Sequence, residues 1–194
     1  EFLMRFIMWI LIHSVYRLKK EGLRNIPDEG AAVLVCNHVS FVDALVIAAG
    51  CPRPIRFVMD HNIFKVPLLN FVFRTAKTIP IASAKEDSQA LERAYDEVAK
   101  ALKDGDLVGI FPEGKITSTG DMNEFKSGIK RIIDRTPVPV IPLALRGLWG
   151  SFFSRMGGKA MSRFFPRGIS SKIELAAGAP IPPTQVTPES LHDT

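Results

Sequence analysis

Short apolar runs bounded by turn signals constrain this chain more than any other feature. Ala31-Ala32-Val33-Leu34-Val35-Cys36 is one such run and Leu107-Val108-Gly109-Ile110-Phe111 is another. Runs of this length are too short for buried helices and read as buried strands. By the same reasoning strands are expected near 31–36, 55–59, 77–82, 107–111, 138–145 and 172–177. Helical patterns fill the spaces between them. The clearest covers 86–103, where Leu91, Tyr95, Val98 and Leu102 recur at helical spacing and Gly105 supplies a stop. A second is expected over 123–134, with Phe125, Ile129, Ile132 and Ile133 on its apolar side. Strand alternating with helix predicts an α/β layered fold. A length of 194 residues, 46% of them apolar and 23% charged, is enough for a sizeable core and excludes a disordered chain.

The first strand leads into Asn37-His38-Val39-Ser40-Phe41-Val42-Asp43, and 41–49 reads as a short helix that Gly50 would stop. On one regular helix a five-residue separation sets two side chains about 140° apart, so His38 and Asp43 meet only if a turn brings them together. A strand-to-helix turn can do so. An imidazole whose far nitrogen is held by a carboxylate has a fixed tautomer and a stabilised cation, as a general base requires. The same residues also fit a capping box, with Ser40 as N-cap and Asp43 where Glu or Gln is commoner, which would leave His38 a loop histidine. Further along, the run at 107–111 ends in Pro112-Glu113-Gly114-Lys115, an acid and a cation on a loop directly after a strand. In open α/β sheets ligands bind at such places.

Asn-His-Val-Ser-Phe-Val-Asp, then Phe-Pro-Glu-Gly-Lys, then Val-Pro-Val-Ile-Pro-Leu-Ala-Leu at 138–145 resemble, in that order, blocks of the glycerolipid acyltransferase family typified by lysophosphatidic acid acyltransferase. The resemblance implies a mixed central sheet flanked by helices. It also implies transfer of a fatty acyl group from coenzyme A or acyl carrier protein to a lysophospholipid hydroxyl, without a metal or other cofactor. His38 would be the base and Asp43 its orienting partner; Asn37, Ser40, Glu113, Gly114 and Lys115, helped by Lys85 and Lys126, would form the substrate site. Two blocks depart from the family pattern. Lys115 and Ile116 stand where Thr-Arg is usual, and the second block offers Lys77 and Lys85 without an arginine. Lysine meets phosphate as a point charge and lacks the bidentate fork, so of the two acceptor types, 1-acylglycerol 3-phosphate and 2-acylglycerophosphoethanolamine, weak discrimination for the monoester is expected, with lysophosphatidylethanolamine acylated at least as efficiently as lysophosphatidic acid. The wording around 79–87, 111–117 and 120–129 is similar to the bacterial 2-acylglycerophosphoethanolamine acyltransferases, in which this domain is fused to others, so an excised domain is expected. An acyl thioesterase using the same pair and a non-catalytic lipid-binding module are the rival readings.

Residues 2–12 are apolar apart from Arg5, and Arg17, Lys19 and Lys20 follow. Taken through Tyr16, a helix here would be about 22 Å long, short of a ~30 Å hydrocarbon core. An amphipathic helix lying in the membrane interface over 1–22 is expected, or else a core helix. The acyltransferase domain would then cover 23–183 and an irregular Pro-rich tail 184–194. Trp149, Phe152, Phe153, Met156, Phe164 and Phe165 interleave with Arg155, Lys159, Arg163 and Arg167, a pattern suited either to anionic lipid or to an ordinary aromatic cluster. No nucleic-acid module accompanies it, and nucleic acid is not an expected partner. Net charge of +5 suits the cytoplasmic face of the inner membrane. Cys36 and Cys51 form no disulfide framework, and His13, His38, His61 and His192 lack zinc-ligand spacing.

Overall fold

A computed structural model describes residues 2–65, 67–158 and 171–193. Its principal elements are α1 (Phe2–Val15), β1 (Arg17–Glu21), β2 (Ala32–Cys36), α2 (Asp43–Gly50), β3 (Ile55–Asp60), α3 (Pro67–Thr75), β4 (Ile79–Ile81), α4 (Ser88–Lys103), β5 (Leu107–Ile110), α5 (Gly128–Arg135), β6 (Val140–Arg146), β7 (Lys172–Ala177) and α6 (Pro188–His192). The strands form one sheet in the order β1-β7-β6-β2-β5-β3-β4. From β6 to β4 all neighbours are parallel; β7 runs antiparallel to β6, and β1 parallel to β7. The sheet is therefore mixed, as the family resemblance implies.

Alternating side chains supply two cores. Along β2, Ala32, Leu34 and Cys36 enter a cluster shared with α1 and α2, whereas Val33 and Val35 enter one shared with α4, α5 and α6. A strand covered on both faces reads as an unbroken apolar run, which is why β2 and β5 are legible by eye. Helix α3 lies on the α1/α2 side, where Val72, Phe73 and Ala76 border a small apolar cavity with Ala44, Leu45 and Ala48 of α2.

Three expectations need correction. The segment 1–22 is not one helix: α1 ends at Val15, and Arg17–Glu21 is a sheet strand whose side chains are mostly exposed, so it carries no apolar alternation to reveal it. The domain boundary at 23 accordingly cuts through the sheet. The tail over 184–194 is not irregular, because Val186 and Leu191 are buried in the second core and α6 is capped by Thr187 and Ser190. Finally, α5 begins at Gly128 and not at 123; in the stretch before it Asn123 bonds to Glu113 and Phe125 packs against the second core. At the far edge, β4 carries exposed Pro80, while β1 presents Arg17, Lys19, Lys20 and Glu21.

Strands β2 and β5 are neighbours, yet the helix after β2 packs on one face of the sheet and the helix after β5 on the other. Their carboxyl ends therefore diverge and open a crevice, the usual ligand position in such sheets.

Candidate active site

His38 leaves the carboxyl end of β2 and Asp43 opens α2. The turn between them folds back so that His38 Nδ1 lies 2.9 Å from Asp43 Oδ2. The same oxygen accepts the backbone N–H groups of Val39 at 2.7 Å and Ser40 at 2.9 Å. Asp43 is fully buried while the His38 side chain keeps 20% exposure, so the carboxylate lies inside and the imidazole faces the crevice. Burial raises the Asp43 carboxyl above its ordinary value, against the opposing pull of His38 and the two amides. The N-cap of α2 is Val42, without a side-chain cap. Asp43 thus reaches back to the Ser40 N–H as a capping box would, but it also holds the imidazole, and the two readings of this segment are partly reconciled.

The ring of His38 rests on Phe111, centroids 4.1 Å apart and nearly parallel, and Phe111 in turn stacks on Phe57 at 6.0 Å. Gly109 makes this possible. A Cβ there would come within 2.7 Å of the Phe57 ring, so glycine in β5 lets the aromatic column stand.

Glu113 crosses from the β5 loop to the His38 turn. It is 1% exposed. Its Oε1 accepts the His38 backbone N–H at 2.6 Å, and its Oε2 accepts the backbone and side-chain N–H groups of Asn123, both at 2.7 Å. Asn37 is equally committed: Nδ2 donates to the Leu145 carbonyl at 3.0 Å and Oδ1 accepts the Leu145 N–H at 2.8 Å, lacing β2 to β6. Ser40 is buried and bridges to Ser154. These three side chains, expected at the substrate, are engaged in bonds and pairings that shape the turn and tie it to its neighbours. Asn123, Phe111 and Leu145 carry no local signal of these roles in the sequence, and Asn123 lies within the stretch 123–134 expected to be helical.

The lysines divide. Lys126 folds across Gly114, which has a positive φ of 65° and where a Cβ would come within 2.5 Å of the Lys126 Nζ. Lys115 is exposed beside it. Lys85 is exposed on the loop after β4, the edge strand three places from β2 in the sheet. Ile116, in the position of the absent arginine, is 8% exposed and packed inward, and the next residue, Thr117, donates its N–H to the His38 carbonyl at 2.9 Å. In the aromatic-basic stretch, Phe153 packs against the first core, whereas Lys159, Arg163, Phe164, Phe165 and Arg167 lie outside the described residues. Among the described residues no group of three His, Cys, Asp or Glu side chains is placed to hold a metal.

Fold and site together define an α/β protein with a His–Asp pair in the crevice at the carboxyl ends of parallel strands. A sequence profile described as "Acyltransferase" matches residues 17–146, and the chain belongs to that family. It is 30% identical over 141 residues to a chloroplastic 1-acyl-sn-glycerol-3-phosphate acyltransferase of Arabidopsis thaliana, a match covering 71% of this chain and 38% of that protein. It is 28% identical over 141 residues to the 1-acyl-sn-glycerol-3-phosphate acyltransferase of Pseudomonas aeruginosa, covering 72% and 54%. The crystal structure of a 1-acyl-sn-glycerophosphate acyltransferase from Thermotoga maritima superposes with a TM-score of 0.70 at 21% identity, covering 98% of this chain and 74% of that one, and shows the same fold.

Proposed function

We propose that this chain transfers a fatty acyl group from an acyl thioester, on coenzyme A or acyl carrier protein, to a lysophospholipid hydroxyl at the membrane surface, with no metal or other cofactor. One observation carries the reading: buried Asp43 holds His38 Nδ1, while the imidazole keeps 20% of its side chain exposed. With Nδ1 protonated, Nε2 takes the acceptor hydroxyl proton as the oxygen attacks the thioester carbonyl carbon. The buried carboxylate stabilises the imidazolium. When the tetrahedral species collapses, the C–S bond breaks and Nε2 returns the proton to the departing thiolate. The relatives' names favour 1-acylglycerol 3-phosphate as acceptor, and the apolar side chain at Ile116 favours a phosphodiester such as lysophosphatidylethanolamine.

Leu3, Phe6, Ile7, Trp9, Ile10 and Leu11 of α1 are exposed, while Ile12 is buried in the core. Among the described residues no helix is long and apolar enough to cross a membrane. The exposed apolar side chains support α1 lying in the membrane interface, and the net charge of +5 supports the cytoplasmic face of the inner membrane; exposed Phe41 precedes α2, which packs in the same core cluster as α1. The test is His38→Ala, assayed for acyl transfer by lipid mass spectrometry with and without lysophospholipid. Transfer should fall by about 10²- to 10⁴-fold with the fold intact. Near wild-type transfer would remove the site, and thioester consumption independent of lysophospholipid would make the protein a thioesterase.

A further inference from the structure

Position 116, where the family pattern sets an arginine, is occupied here by an inward-packed isoleucine, so the loop after β5 offers no guanidinium to an acceptor phosphate. The other flank of the His38 turn does. After β6 the chain folds into a tight loop in which Leu148 is fully buried, the Ser151 N–H bonds to the Leu148 carbonyl, and Ser154 Oγ accepts the Gly150 N–H at 3.0 Å and donates to the Ser151 carbonyl at 2.9 Å. That loop is joined to the turn itself: the Phe41 N–H donates to the Phe153 carbonyl at 3.1 Å, and Ser154 pairs with Ser40 in an antiparallel bridge. The antiparallel sense carries the chain from Ser154 back toward His38. The next residue is Arg155. Its side chain is exposed, and its guanidinium carbon lies 6.0 Å from the centroid of the half-exposed Phe41 ring. No carboxylate among the described residues pairs with it.

We propose that Arg155 is the phosphate-reading residue of this chain, a guanidinium that meets the acceptor's phosphate from the β6 side of the crevice in place of the arginine missing from the β5 side. The inference rests on the acyl-transfer reading above. The acceptor hydroxyl and the phosphate of a lysophospholipid are only a few bonds apart, so a phosphate contact must stand within a side chain's reach of the base. Backbone bonds to Phe41 and Ser40 give Arg155 that position. Arginine is suited to it because its planar fork takes two phosphate oxygens at once, whereas Lys115 and Lys126 act as point charges. Stacking against Phe41 restricts the long side chain before the ligand arrives, which lowers the ordering cost of binding. A single fork recognises the phosphate of a monoester and of a diester alike, so Arg155 sets phosphate against no phosphate and not one head group against another.

The experiment compares kcat/KM for a phosphate-bearing acceptor, lysophosphatidylethanolamine or lysophosphatidic acid, with that for monoacylglycerol of the same chain, in wild type, Arg155→Ala and Arg155→Lys. The ratio should fall by about 10- to 100-fold in Arg155→Ala, the worth of a charge-assisted bond, and by less in Arg155→Lys. An unchanged ratio overturns the proposal. So does an equal loss on both acceptors that tracks reduced flotation with vesicles, which would make Arg155 a membrane contact. If the wild-type chain acylates no lysophospholipid, the acyl-transfer reading fails on its own. Calorimetric titration with hexanoyl-lysophosphatidic acid, a soluble probe, then decides Arg155 separately: weaker binding by Arg155→Ala of about 10-fold or more sustains it, and equal binding overturns it.

Discussion

Replacing Glu113 by Gln changes one oxygen to an NH₂ group and keeps the shape, yet the structure leaves no orientation in which the amide fits. Oε1 faces the His38 N–H and Oε2 faces two donors of Asn123. Both sides present donors only, so the NH₂ group must oppose one of them. Turned toward His38 it forfeits one charge-assisted bond and strands the buried N–H; turned toward Asn123 it forfeits two. A charge-assisted bond is worth ~1.5–3 kcal/mol and a stranded buried donor costs ~1–3 kcal/mol, so even the better orientation should destabilise the fold by about 2.5–6 kcal/mol. Relief from burying a charge recovers part of this. The freed His38 backbone would also let the imidazole leave its place on Phe111. Urea unfolding should show the loss of stability, and steady-state kinetics should show kcat falling by more than about 10-fold with acceptor KM little changed. An unaltered unfolding midpoint together with a raised KM would refute the reasoning and return Glu113 to direct contact with substrate.

Asp43→Asn should lower kcat by about 10²- to 10⁴-fold, since the amide oxygen can still accept the Val39 and Ser40 N–H groups but no longer offers a charge to the imidazolium; a folded variant with wild-type kcat would reduce Asp43 to a tie in the turn. Its stability should respond to pH in a defined sense. Burial raises the folded-state carboxyl above its ordinary value, so the folded chain holds that proton more tightly, and the group's contribution falls as pH rises from the unfolded pKa to the raised one. Acid titration of unfolding should show this slope in wild type and not in Asp43→Asn. Polar replacement of Phe6, Trp9 and Ile10 on the exposed face of α1 should abolish flotation with anionic vesicles while leaving thermal unfolding unchanged; lost stability with retained flotation would make α1 an ordinary core helix.

What the sequence displayed was whatever local pattern records. Strands β2 and β5 are apolar throughout because both faces are covered, and the His38–Asp43 pair is visible because one short turn holds it. Strand β1 is not visible in that way: Arg-Leu-Lys-Lys-Glu at a sheet edge has nothing to alternate, and its identity comes from pairing with a strand more than 150 residues distant. The same limit hides the true occupations of Asn37 and Glu113. Both are polar residues beside the His38–Asp43 pair or on the loop after β5, and only the approach of Leu145 and Asn123 shows their hydrogen-bonding capacity to be already used. Val186 and Leu191 are two apolar residues among prolines, too sparse to announce a helix, but each fills a place in a core built by β2, α4 and α5.

The two outer strands of the sheet also bear on how such a protein behaves when crowded. An open sheet has two rims of unpaired amide and carbonyl groups, each a template on which another chain could add a strand. On β1 the side chains of Arg17, Lys19, Lys20 and Glu21 would have to be brought against a second copy of themselves, and on β4 Pro80 removes a donor from an already short ladder. Both rims are thereby poor templates. Copies held at a surface, as the proposed function has them, meet far more often than in dilute solution, and these two rims oppose the edge-to-edge growth that precedes aggregation.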